Sequence, residues 1–294
     1  MPMLRVNGIE LYYIDQGEGE PLVLVHNVMS NTDGFEFNVP ELSRHYRVIA
    51  FDLRGHGRTT HVDSEALAPA FYTFDNTAED LHQLLRHLGV GQCYLFGQAY
   101  WGVSTALTFF LHHPEMVKGI VLSACHIVSS NEGARPFDRM TEEMRQGFLR
   151  MHEIARTRGM AAVFEERKRL KTFWSRKVLG SPEILRRFAD MYDKTSATAF
   201  LHFPHQSHAR RAAIAAKLRE THMPLMLLLG AEDSHIEERI VAMGADHPGT
   251  HVLLLHGVGH YPTIECPAEF NRAVLDFLAG LRQYGRQPRR LAAA

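Results

Sequence analysis

The sequence predicts an α/β protein: a mostly parallel, doubly wound sheet with a helical cap inserted after one of its strands. Three observations predict it. Unbroken apolar runs such as Leu22-Val23-Leu24-Val25 and Gly119-Ile120-Val121-Leu122-Ser123 read as strands covered on both faces. Segments of helical period fall between those runs, which implies parallel strands joined by right-handed crossovers. The alternation stops after Cys125 and resumes at Leu225, with Arg-rich helical segments in between.

Each element has its own local reason. Leu4 to Val6 and Ile9 to Ile14 flank Asn7-Gly8, a dipeptide suited to a two-residue hairpin turn. Tyr46 to Phe51 is a third apolar strand and ends at Asp52. Leu81, Leu84, Leu85 and Leu88 form one stripe of a helix over Thr77 to Leu88. Tyr94 to Phe96 is a short strand, and Val103 to Leu111 continues as an apolar helix. Leu225 to Leu229 and His251 to Leu255 are the last strands, and Pro267 to Leu281 is a closing amphipathic helix. The predicted organisation is a core over residues 1–126 and 222–283, a cap over 127–221 and a tail over 284–294. The final Arg290-Leu291-Ala292-Ala293-Ala294 has the look of a vector remnant or a natural frayed end.

Composition narrows the function classes. With 294 residues, 45% hydrophobic and 22% charged, the chain can bury a large core. A net charge of −1 offers no global field for nucleic acid or an anionic membrane. Three cysteines (Cys93, Cys125, Cys266) make no disulfide framework and fit a reducing compartment. The N-terminus lacks the apolar stretch of a signal peptide, so a cytoplasmic location is expected. Oligomeric state is not legible.

The densest chemical signal is Cys93-Tyr94-Leu95-Phe96-Gly97-Gln98-Ala99-Tyr100-Trp101-Gly102. A buried strand runs into Gly-x-Nuc-x-x-Gly and an apolar helix follows, which is the layout of a nucleophile elbow. The nucleophile position holds Ala99, whose methyl can attack nothing. Four further segments stand in order, each after a predicted strand or opening a loop: His26-Asn27, Asp52-Leu53-Arg54-Gly55-His56-Gly57, Gly230-Ala231-Glu232-Asp233 and Gly257-Val258-Gly259-His260. Together with the elbow they resemble the α/β-hydrolase fold family, in its members with a helical cap, over residues 4–283.

The resemblance implies roles for particular residues. His260 would be the general base, and Asp233 would hold its ring in the right tautomer. Glu232 is the weaker candidate for the acid. The N–H of Tyr100, at a helix start, and that of Val28 would form the oxyanion hole. Asn27 stands where the family usually has Gly, and its tolerance of positive φ is the expected reason the loop survives. Asn27, Trp101, Met140 and Trp174 are the expected substrate contacts. The turn around Arg54 is expected to be structural.

Bland readings compete with each of these. A lone Asp is usually a turn former, and a lone His is usually a satisfied core or surface residue. The surrounding motifs reverse both priors. Ser104, Cys125 and Tyr100 are weak replacements for the missing nucleophile. The cluster His202-Phe203-Pro204-His205-Gln206-Ser207-His208 matches no metal motif, so no metal and no cofactor is expected. The partner is a small-molecule substrate, with no nucleic acid and no membrane.

Three functions follow. The first is a hydrolase acting on an ester, lactone, amide or activated C–C bond of a mostly apolar small molecule, with serine replaced by Ala99. The second is a natural nucleophile-free enzyme using His260 and Asp233 as a base, of the cofactor-free dioxygenase or lyase type. The third is a non-catalytic ligand-binding protein of the same fold.

Overall fold

The protein's structure, a computed structural model, describes residues 2–124, 142–170, 174–202, 204, 206–233, 247 and 249–286. Eight strands form one sheet in the order β1-β2-β4-β3-β5-β6-β7-β8. They are β1 (Met3–Val6), β2 (Ile9–Gln16), β3 (Pro21–Val25), β4 (Arg47–Phe51), β5 (Cys93–Gln98), β6 (Val117–Ser123), β7 (Leu225–Gly230) and β8 (His251–Leu255). The pairs β1/β2 and β2/β4 are antiparallel, and every other pair is parallel.

The local signals explain the elements. Asn7 and Gly8 both take positive φ, 45° and 77°, as a tight hairpin turn with the twist of its strands requires. After the short helices α1 (Val39–Leu42) and α2 (Ala68–Phe71), Thr73 caps the helix Phe74–His87 (α3) by accepting from Asn76 N. Side chains alternate across β3 and β4, so Val23, Val25, Ile49 and Phe51 pack against one layer of helices. Leu22, Leu24, Val48 and Ala50 pack on the opposite face, with Phe270, Val274 and Leu278 of the closing helix Pro267–Arg286. Burial on both faces is why these strands are unbroken apolar runs.

Between β6 and β7 the regular elements among the described residues are helices, with one isolated bridge from Thr195 to His56. The helices are α5 (Glu142–Arg158), α6 (Met160–Leu170), α7 (Arg176–Leu179), α8 (Pro182–Asp193), α9 (Ala197–Leu201) and α10 (His208–Thr221). No helix among the described residues is long and apolar enough to cross a membrane. The chain runs from β3 outward to β4 and returns to β5 on the other side of β3. That reversal opens a crevice at the carboxyl ends of β3 and β5, where Val25 pairs with Gly97.

Candidate active site

The elbow is built as its glycines demand. Ala99 starts the helix Ala99–His112 (α4) with φ 51°, a left-handed backbone that a non-glycine residue adopts at a cost of order 1–3 kcal/mol. A Cβ on Gly102 would lie 2.4 Å from Val25 O and 2.8 Å from His26 O. A Cβ on Gly97 would lie 2.9 Å from Val103 Cα. Both positions therefore accept only hydrogen, and the strand, turn and helix pack without a gap. Ala99 is buried in this turn.

Asp233 and His260 meet on the same edge of the sheet. His260 Nδ1 lies 3.0 Å from Asp233 Oδ2, with both side chains almost fully buried. Their loops are joined by backbone bonds, Ala231 N to Leu255 O at 2.8 Å and Glu232 N to Val258 O at 2.8 Å. A Cβ on Gly230 would lie 2.1 Å from Gly259 O, so only glycine lets the two loops close. Glu232 turns the other way: its Oε2 accepts from Arg176 N at 3.4 Å, at the cap.

Sequence reasoning missed the brace beneath His260. Glu265 is fully buried, and its carboxylate accepts from Gly259 N at 2.8 Å and Tyr261 N at 2.9 Å. It thus grips the backbone on both sides of the histidine. The available signal was an acidic residue inside the apolar stretch Tyr261-Pro262-Thr263-Ile264, where an unpaired charge would be costly. Thr263 makes the second tie, accepting from Gln98 Nε2 at 3.1 Å.

The loop after β3 is held by a neutral histidine. Leu53 N donates to His26 Nε2 at 2.9 Å, so Nδ1 carries the proton and donates to Asn27 O at 2.7 Å. Burial pushes the His26 pKa below its usual value, against the pull of Asp52. The expected positive φ at Asn27 is corrected: Met29, two residues on, takes φ 59°. Asn27 instead accepts from Trp101 N at 3.4 Å, tying the loop to the elbow helix, and its side chain lies near that of Tyr261 in the histidine loop. Val28 is buried between them in sequence.

The remaining expected residues divide. Tyr100 is the second residue of α4, so its N–H belongs to the first helical turn. Its hydroxyl accepts from Gln206 N at 2.9 Å, and burial pushes its pKa up to about 12. A phenol so held is no substitute nucleophile. Trp101 is corrected as a substrate contact. Its ring is fully buried against His56 (centroids 4.9 Å apart) and Phe74 (6.4 Å), in the core beside the elbow. Trp174 packs on Phe188 at 4.7 Å and Tyr261 at 6.0 Å, where the cap meets the histidine loop. Met140 and Cys125 lie outside the described residues. Burial pushes the thiols of Cys93 and Cys266 up to about 12, which leaves both inert near neutrality. Ser104 is fully buried within α4. Arg54 forms a buried bidentate pair with Asp80 at 2.6 and 2.8 Å, the structural role expected of that turn. His202 pairs with Glu65 at 2.6 Å, while His205 lies outside the described residues.

A cap arginine sits over this ground. Arg167 of α6 is buried and donates to Met29 Sδ at 3.5 Å, with Tyr192, Tyr261 and Asp233 close enough to act on it. Burial works against its charge, yet the surrounding Tyr192, Tyr261 and Asp233 keep its pKa above the usual value.

The chemistry of such an arrangement is proton transfer by an oriented imidazole beside a strained turn. The 2-hydroxy-6-oxo-6-(2'-aminophenyl)hexa-2,4-dienoic acid hydrolase of Metapseudomonas resinovorans is 34% identical over 139 residues, which are 45% of this chain and 46% of that protein. Epoxide hydrolase 3 of Xenopus tropicalis is 24% identical over 94% of this chain and 76% of its own length. The chain thus spans less than half of the first of these relatives. Among solved structures, one from a study of carboxylesterases of Nitrososphaera gargenis superimposes with a TM-score of 0.75, at 24% identity, over 96% of this chain and 100% of the other. The family model described as alpha/beta hydrolase fold matches residues 20–267, and the chain belongs to that family.

Proposed function

We infer that this protein is a hydrolase of ester, lactone, amide or activated C–C bonds in a mostly apolar small molecule, with Ala99 standing in the place of a serine. One observation carries this reading. The positive-φ turn at Ala99 persists together with a complete His260–Asp233 pair at 3.0 Å, and Gln98, next to Ala99, is bonded to Thr263 of the histidine loop. A strained turn and a buried, oriented imidazole both have an energetic cost, and their shared purpose is an attacking hydroxyl. With serine at 99, His260 would take its proton and later return it to the leaving group. The amides of Val28 and Tyr100 would stabilise the oxyanion. The cap expected over residues 127–221, with its described helices α5 to α10, would cover the acyl or ring portion of the substrate. The named relatives, a dienoic acid hydrolase and an epoxide hydrolase, support hydrolysis as the class and leave the bond open.

The test is Ala99→Ser with p-nitrophenyl acetate. The expected result is a burst of nitrophenolate followed by turnover and, on rapid acid quench, a mass increase of one acetyl group, all absent from the protein with Ala99. Failure of the variant to acylate would remove this reading. Turnover by the Ala99 protein that His260→Ala abolishes would favour the nucleophile-free dyad instead.

A further inference from the structure

We propose that Glu79, His82 and His113 form a binding site for a divalent zinc-type cation at the far end of the elbow helix. Glu79 and His82 are three residues apart on α3, hence neighbours on one helix face. His113 directly follows α4 and brings its ring onto His82 from the other helix. One ligand atom from each residue lies within 4.8 Å of the other two. The two imidazoles stack with centroids 3.9 Å apart and an interplanar angle of 22°.

Two further features fit a cation better than chance packing. His82 Nδ1 is buried, lies 3.4 Å from Glu79 Oε2 and makes no hydrogen bond among the described residues. A buried ring nitrogen without a bond is costly unless something else binds it. Gln83 Nε2 donates to Glu79 Oε1 at 2.7 Å, orienting the carboxylate with its other oxygen toward the histidines. Two imidazole nitrogens and one carboxylate oxygen suit Zn²⁺, Ni²⁺ or Cu²⁺ over Ca²⁺ or Mg²⁺, with water completing a tetrahedron. Bonds of about 2.0–2.1 Å require the three donors to draw together by roughly an ångström, within reach of side-chain rotation in half-buried residues. His112 stays out, engaged by Asp75 at 3.3 Å.

The site stands apart from the dyad. Fourteen residues of helical rise separate His113 from Ala99, about 21 Å. A cation here would clamp α3 to the end of α4 and take no part in the reaction.

The experiment is calorimetric titration of the full chain with ZnCl₂ near pH 7.5, with Co²⁺ absorption as a second readout. The expected result is one saturable equivalent and an intense tetrahedral Co²⁺ band. His82→Ala and His113→Ala should each weaken binding at least tenfold, whereas His202→Ala should leave it unchanged. His82→Gln and His113→Gln, checked by circular dichroism, serve if the alanine variants do not fold. Absence of saturable binding, or affinity unchanged in the His82 and His113 variants because zinc sits on other histidines, would overturn the proposal.

Discussion

Gln98 Nε2 donates to Thr263 Oγ1 at 3.1 Å, and this bond joins the residue before Ala99 to the residue three after His260. Both side chains are buried, so no water competes for them. Two loops far apart in the chain are thereby held in one register. Thr263→Val keeps the volume and removes the acceptor. It should cost about 1–3 kcal/mol by leaving the Gln98 amide unsatisfied, read as a lower midpoint in urea unfolding. In the Ala99→Ser background it should also slow acylation, because the imidazole loses one of its anchors. An unchanged midpoint would mean the tie is dispensable.

Glu265 is the stronger anchor. Glu265→Ala strips the acceptor from two buried N–H groups at once, those of Gly259 and Tyr261. The expected loss is about 3 kcal/mol or more, since bonds to a charged acceptor are worth about 1.5–3 kcal/mol each. Glu265→Gln, which retains one acceptor oxygen, should recover part of it. Equal stability of the three proteins would contradict the bracing role.

Asp233→Asn in the serine-containing protein should leave the fold intact and lower kcat by about 10⁴-fold, because the amide favours the wrong imidazole tautomer. The comparison is Glu232→Gln, whose carboxylate faces Arg176 and should change kcat little. A large loss from Glu232→Gln would reassign the acid.

Gly102→Ala places a methyl 2.4 Å from Val25 O, a backbone atom that cannot swing aside. The expected destabilisation is about 1–3 kcal/mol, with β3 and α4 forced apart. Thermal unfolding measures it directly.

Stability should fall as the solution is acidified through the histidine range. Burial lowers the pKa of His26, and burial with the neighbouring His26 lowers that of His56 well below the usual histidine range. The unfolded chain therefore takes up protons first, so stability is full above about pH 6.5 and declines as the pH falls toward the folded pKa values. Each histidine contributes a slope of at most about 1.4 kcal/mol per pH unit. Urea unfolding at pH 7.5 and 5.5 reads the effect, and His56→Gln should flatten it. A slope unaffected by that change would place the acid sensitivity elsewhere.

Fold class, strand order along the chain and the elbow were legible in the sequence because they rest on local rules. Apolar runs, helical stripes and glycines at close approaches are imposed by neighbours in the chain or by the backbone itself. Asp233 and His260 were legible too, since each sits in a glycine-marked loop after a strand. What escaped was decided at long range. Positive φ moved from Asn27 to Met29 because His26, bonded to Leu53 and Asn27, dictates the path of the loop. Trp101 turned into the core because His56 and Phe74, from separate segments, wall in its ring. Glu265 became a brace, and Glu79, His82 and His113 a cluster, only when folding brought distant loops and helix ends together.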